Sequence, residues 1–193
     1  MLVVAIGGSP SAKSRSTALL NYATDWLTQY GVNSYTVTVK DFLAEDLLYA
    51  NFDSPQIKEL QQKLAQADGV ILATPIYKAA YSGALKTILD LFPERALANK
   101  VVLPIATAGS SNHLLALDYA LKPVIGALKA KEILQGVFAN DQQITYPTEK
   151  TTLILAKDLE LRLESALQQF YISLQQPKPH TQQLLSKKLA EAV

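Results

Sequence analysis

Five short apolar runs punctuate the chain, and the segments between them repeat apolar residues at helical spacing. Residues 2–6 (LVVAI) are continuous and apolar, as in a parallel strand covered on both faces. A Gly/Ser/Pro segment, residues 7–16, follows. Leu19, Leu20, Ala23, Trp26 and Leu27 then share one helical face, and Gly31 stops that helix. Residues 35–39 (YTVTV) alternate and are β-branched, which predicts a second strand. Residues 40–53 read as irregular. Ser54-Pro55 starts a helix, with Ser at the N-cap and Pro at its first position. Residues 69–73 are a third strand, 82–91 a helix ended near Pro93, and 101–106 a fourth strand. A helix over 114–129, a fifth strand over 133–138 and a long helix over 150–175 complete the pattern. Leu155, Leu159, Leu163, Ala166, Leu167 and Phe170 line one face of that last helix. Pro177-Lys178-Pro179 closes the compact part, so residues 1–176 read as one domain and 177–193 as a loose tail.

Strands alternating with helices predict an α/β three-layer sandwich around a parallel sheet. Five strands fit the flavodoxin-like order 2-1-3-4-5, joined by right-handed crossovers. The 193 residues agree with a single domain. At 49% hydrophobic and 18% charged residues, the chain is not intrinsically disordered. A net charge of +1 gives no sign of nucleic acid or of an anionic membrane as partner. No apolar run approaches the roughly 20 residues of a membrane span, and the start lacks a basic leader, so a cytoplasmic location is expected. There are no cysteines, which excludes disulfides, thiol nucleophiles and Cys-based metal sites. Two histidines, His113 and His180, leave little for a metal, and no metal site is expected. The single methionine is Met1, so the chain is sparing of sulfur throughout.

In an open parallel sheet, ligands bind beyond the carboxyl ends of the strands, where the strand order reverses. Three loops lie there. The first, residues 7–17 (GGSPSAKSRST), lacks both the dinucleotide glycine pattern and a Gly-Lys-Ser/Thr phosphate loop. Its hydroxyls (Ser9, Ser14, Ser16, Thr17) and its cations (Lys13, Arg15) instead suit a compact phosphate monoester at a helix start. A plain capped turn is the alternative. The second loop, from Thr74, carries Pro75, Ile76, Tyr77 and Tyr81, with flat aromatic surface for a planar ring; tyrosines that merely seal the sheet edge are the alternative. The third, Thr107, Ala108, Gly109, Ser110 and on to Asn112, is small and rich in donors. One phosphate cradle and two loops suited to a heterocycle describe a mononucleotide site, and FMN is such a ligand.

These loops also carry a resemblance. Gly8-Ser9-Pro10 with Ser14-Arg15-Ser16, the runs EDLLYA (45–50) and FDSP (52–55), ATPIYKAAYSGALK (73–86) and LLALDYALKP (114–123) resemble the NADPH-dependent FMN reductases of the flavodoxin-like superfamily, specifically the alkanesulfonate-utilisation type. The resemblance spans about residues 1–140. Where many relatives carry Arg, this chain has Ser11, so phosphate charge falls to Arg15 or Lys13. The resemblance implies hydride transfer from NADPH to FMN and release of reduced flavin to a flavin-dependent alkanesulfonate monooxygenase. Low sulfur content agrees with a role under sulfur shortage, and chance or genomic bias is the alternative. The cofactors carry the chemistry, so no catalytic side chain is expected. The flavin-contacting set comprises Ser9, Ser14, Arg15 and Ser16; Pro75, Ile76 and Tyr77; Thr107, Ala108, Gly109 and Ser110; and His113 and Tyr119. His113 reads equally as a surface residue at a helix entry, Lys86 as a solvated cation, and Asp41 as a loop cap. The rival readings are a flavodoxin-like electron carrier, against which the charge of +1 speaks, a quinone- or azo-type flavin reductase, and a regulatory protein with a vestigial site.

The helices over 82–91 and 114–129 are apolar over more than one stripe, which predicts a homo-oligomer, a tetramer by the resemblance. Pro123 sits inside the second of them and deprives the Tyr119 carbonyl of its usual donor. Bonding to the N–H of Val124 would create a π-bulge centred near Tyr119 and turn that ring towards an interface or a flavin. A plain proline kink is the alternative.

Overall fold

In the computed structural model, which describes residues 1–146 and 153–176, the sheet is built outward from its first strand. That strand, β1 (Leu2–Gly7), pairs in parallel with β2 (Asn33–Thr38) on one side and β3 (Gly69–Tyr77) on the other. β3 pairs with β5 (Val101–Ala108), which pairs with β6 (Glu132–Ile133) and β7 (Val137–Asn140). The order is the expected flavodoxin-like one, with the fifth strand in two pieces. Alternate side chains divide between the two faces. Val4 and Ile6 pack with α3 (Pro55–Gln66), α4 (Gly83–Asp90) and α5 (Lys122–Ala127). Val3 and Ala5 pack with α1 (Arg15–Gln29) and α6 (Lys157–Gln175). All four of these β1 side chains are fully buried, as a strand between two helical layers requires.

Four departures from the sequence pattern have local causes. The third strand does not stop at Ala73 but continues to Tyr77 and folds back through Lys78-Ala79 into β4 (Ala80–Tyr81). Both turn residues lie at positive φ, +50° and +64°, without the glycine or asparagine that marks such hairpins. The fifth strand is broken by a bulge. Val102 faces Ile133 and Ile105 faces Val137, so residues 134–136 stand opposite only 103–104. Pro104 has no N–H to give the ladder at that point. Residues 40–53 contain a short helix, α2 (Ala44–Leu48). The last helix begins at Lys157, because Leu155 belongs to β9 (Ile154–Leu155), paired with β8 (Ile144–Thr145). Residues 150–152 of that predicted helix, and the predicted tail over 177–193, lie outside the described residues.

The helix predicted over 114–129 is three pieces: a 3-10 turn (Ser111–His113), a π turn (Leu117–Leu121) and α5. The π turn is centred on Tyr119 as expected, but it closes earlier than the proline argument placed it. The recorded i+5 bond runs from the Lys122 N–H to the Leu117 carbonyl, and Pro123 falls in the first turn of α5, where no N–H is needed. Tyr119 projects outward, 79% exposed. No helix among the described residues is long and apolar enough to cross a membrane.

Candidate functional site

The three predicted loops converge at the carboxyl end of the sheet because their strands are neighbours in the order β1-β3-β5. Between them lies a cleft of about 190 Å³. Ser9, Ser14 and Arg15 line it from the first loop, Pro75, Ile76 and Tyr77 from the end of β3, and Thr107, Ala108 and Gly109 from the end of β5. Ser11 and Lys13 also border it.

Each loop is held by identifiable bonds. The Gly8 N–H donates to the Ala73 carbonyl (2.7 Å), clamping the first loop to β3. Ser82, the N-cap of α4, donates its hydroxyl to the Gly8 carbonyl and accepts the Leu85 N–H (3.1 Å). Its own N–H donates to Thr74 Oγ1 (3.0 Å), whose hydroxyl donates to the Pro75 carbonyl (2.9 Å). This network is buried, and a Cβ on Gly8 would lie 2.6 Å from Leu85 Cβ, so α4 and the first loop are in direct contact. Ser14 caps α1 by accepting the Thr17 N–H (3.2 Å). The first-turn N–H groups of Arg15 and Ser16 have no intrahelical acceptor, as at any helix start.

Not every predicted residue lines the cleft. Ser16 is fully buried behind Ser14, their hydroxyls 3.0 Å apart, so it braces the cap. Ser110 caps the turn at 111–113, accepting the Asn112 N–H (3.2 Å). His113 and Tyr119 lie beyond the lining residues. Of the two loop tyrosines, Tyr77 borders the cleft at 49% exposure, whereas Tyr81 packs on the core and burial raises its pKa. Lys86 is bonded to Asp90 (2.5 Å), which raises its pKa, and Asp41 caps its turn by accepting the Thr38 N–H (2.6 Å).

One lining residue was missed by sequence reasoning. Asp141 follows β7 and reaches the cleft, where its Oδ2 is 3.4 Å from an Arg15 terminal nitrogen. Arg15 Nε also donates to the Ile144 carbonyl (3.5 Å). No local motif marks Asp141; only the pairing of β5 with β7 brings it there. Thr74 and Ser82 brace the cleft without lining it; the sequence places them in the second loop and at a helix start with no further role, although a buried N-cap serine before a helix is a readable signal.

The donor set fits a phosphate monoester: a buried Ser9 hydroxyl, the Ser14 cap, a helix start and a guanidinium. Beside it, Pro75, Ile76 and Tyr77 line the cleft on one side and the small residues Thr107, Ala108 and Gly109 on the other. A larger hollow of about 600 Å³ runs along the sheet edge between α6 and the π turn. Among the described residues its one cation is Arg162, engaged with the Phe138 carbonyl (2.8 Å) and Asp158 (3.6 Å), and none of the three loops' hydroxyls reaches it.

The family profile described as NADPH-dependent FMN reductase matches residues 1–145. The chain is 55% identical over 193 residues to an FMN reductase (NADPH) of Pseudomonas putida, covering 100% of this chain and 98% of that protein. It is 52% identical over 186 residues to an FMN reductase (NADPH) of Escherichia coli, covering 96% of each. Among solved structures, the apo form of an NADH:FMN oxidoreductase superposes with a TM-score of 0.82 at 36% identity, over 93% of this chain and 92% of that one.

Proposed function

The chain belongs to the NADPH-dependent FMN reductase family, an oxidoreductase family, and from that premise we propose that it reduces FMN with NADPH and releases the reduced flavin. The observation that carries the reading is the convergence of a hydroxyl- and Arg-bearing helix start with the loops that follow β3 and β5 in one cleft.

Ser9, Ser14 and Arg15 hold the flavin phosphate, with Ser16 bracing Ser14. Pro75, Ile76 and Tyr77 flank one side of the ring, and Thr107, Ala108 and Gly109 the other, with Ser110 shaping the third loop. When bound, the flavin ring supplies the hydride-accepting chemistry. The protein's part is to orient two planar rings and exclude water, so no side chain in the cleft has to act as acid or base.

The reduced flavin goes to a flavin-dependent alkanesulfonate monooxygenase in this reading. Its support is compositional: a chain with no cysteine and one methionine suits synthesis when sulfur is scarce. The protein works as a homo-oligomer, a tetramer by family resemblance. Exposed Leu114, Leu115 and Tyr119 on and beside the π turn support that proposal. Light scattering at micromolar concentration tests it, and a monomer would refute it.

Purified protein mixed anaerobically with NADPH and excess FMN should oxidise many equivalents of NADPH per protein, one for each FMN reduced. Oxidation limited to one equivalent per protein would instead indicate a carrier with fixed flavin.

A further inference from the structure

Arg15 is the one arginine lining the cleft, and an acid shares it. Asp141 is not an incidental surface carboxylate. It opens the 3-10 turn Asp141–Gln143, and that turn is braced by its own capping box and by a bond to α6. The Asn140 side chain accepts the Gln142 N–H (2.9 Å), and the Gln143 side chain accepts the Asn140 N–H (2.9 Å). Gln143 also donates to Asp158 on α6 (2.5 Å). The carboxylate is therefore presented to the cleft from a fixed platform at the end of β7. A Cβ on Gly109 would come within 3.9 Å of its Oδ2, so it also abuts the third loop.

Its hold on Arg15 is loose. The single contact of 3.4 Å is well beyond the roughly 2.7–2.9 Å of a strong charge-assisted bond. Both side chains are partly open, 42% and 36% exposed. A carboxylate that oriented the guanidinium would grip it closely, usually through two bonds. This one instead places a negative charge where a dianionic phosphate must approach the same cation.

We propose that Asp141 sets the flavin affinity of the cleft by competing with the flavin phosphate for Arg15. The inference rests on the assignment of Arg15 to that phosphate. Asp141 is a positioning residue acting through Arg15 and through repulsion of the phosphate; it takes no part in hydride transfer. It weakens phosphorylated flavin selectively, which suits a protein that must let its flavin go. Riboflavin, which has no phosphate, does not meet the competition.

The test compares FMN and riboflavin dissociation constants by flavin fluorescence in wild type, Asp141→Asn and Arg15→Ala. Removing one like charge at a partly solvated site should tighten FMN about tenfold in Asp141→Asn. Riboflavin should stay within about twofold, and the FMN gain should shrink as salt rises. Unchanged or weakened FMN binding in Asp141→Asn overturns the proposal, weakened binding marking Asp141 as an orienting partner of Arg15. A gain shared equally by riboflavin overturns it as well. The phosphate assignment fails separately, if Arg15→Ala loses both flavins equally.

Discussion

The Ser82 hydroxyl donates to the carbonyl of Gly8, 74 residues earlier, while accepting the N–H of Leu85. One buried oxygen thus caps α4 and ties down the loop that carries Ser9, Ser14 and Arg15. Ser82→Ala should remove both bonds and cost about 2 kcal/mol in denaturant unfolding. FMN affinity should fall as well, because the first loop loses its anchor. A stable variant with normal FMN binding would show that the Gly8–Ala73 bond alone holds the loop.

Arg15→Ala should weaken FMN about 10- to 100-fold, the range for losing a hydrogen bond to a charged group, and riboflavin far less. Titration of both flavins by fluorescence quenching measures the ratio.

Deleting Tyr119 should remove the extra residue of the π turn and let the segment before α5 return to regular helical bonding. We expect slower flavin release, so the variant should purify yellow and transfer reduced flavin poorly. A colourless product with unchanged FMN turnover would make Tyr119 purely structural.

Tyr22 joins α1 to α6 by donating its hydroxyl to Glu164 (3.1 Å). Burial, and then the Glu164 carboxylate, push its pKa up to about 12. The folded state thus favours the protonated phenol more than the unfolded state does. The stabilisation is complete below the unfolded value near 10 and is lost as pH rises through 12. Denaturation midpoints between pH 9 and 12 should fall less steeply in Tyr22→Phe than in wild type.

Gly136 lies in the β-bulge at φ +85°, and a Cβ there would sit 2.6 Å from the Pro104 carbonyl oxygen. Gly136→Ala should combine backbone strain with a clash against fixed backbone and cost about 2–4 kcal/mol. A calorimetric Tm close to wild type would mean that the broken fifth strand slides at no cost.

The layers, the sheet order and three quarters of the residues lining the cleft are legible along the chain because the signals behind them are short-range. The buried run LVVAI, the stripe from Ile57 to Leu64 and the hydroxyls from Ser9 to Ser14 each lie within a few residues. The π turn was legible for the same reason, since a proline acts on carbonyls one turn away. Its register was not: the turn closes on Leu117 and not on Tyr119, because packing of Leu117 and Leu121 into the core sets which carbonyls are free to rebond. The hairpin at Lys78-Ala79 defeats local reading because its residues contradict their own backbone preference. Asp141 could not be read at all. Its meaning comes from Arg15, 126 residues away, and only the β5–β7 pairing brings the two charges together. Local periodicity specifies elements and the faces they bury; which distant charges meet across a cleft depends on strand register and bulges, and those are settled when the sheet assembles.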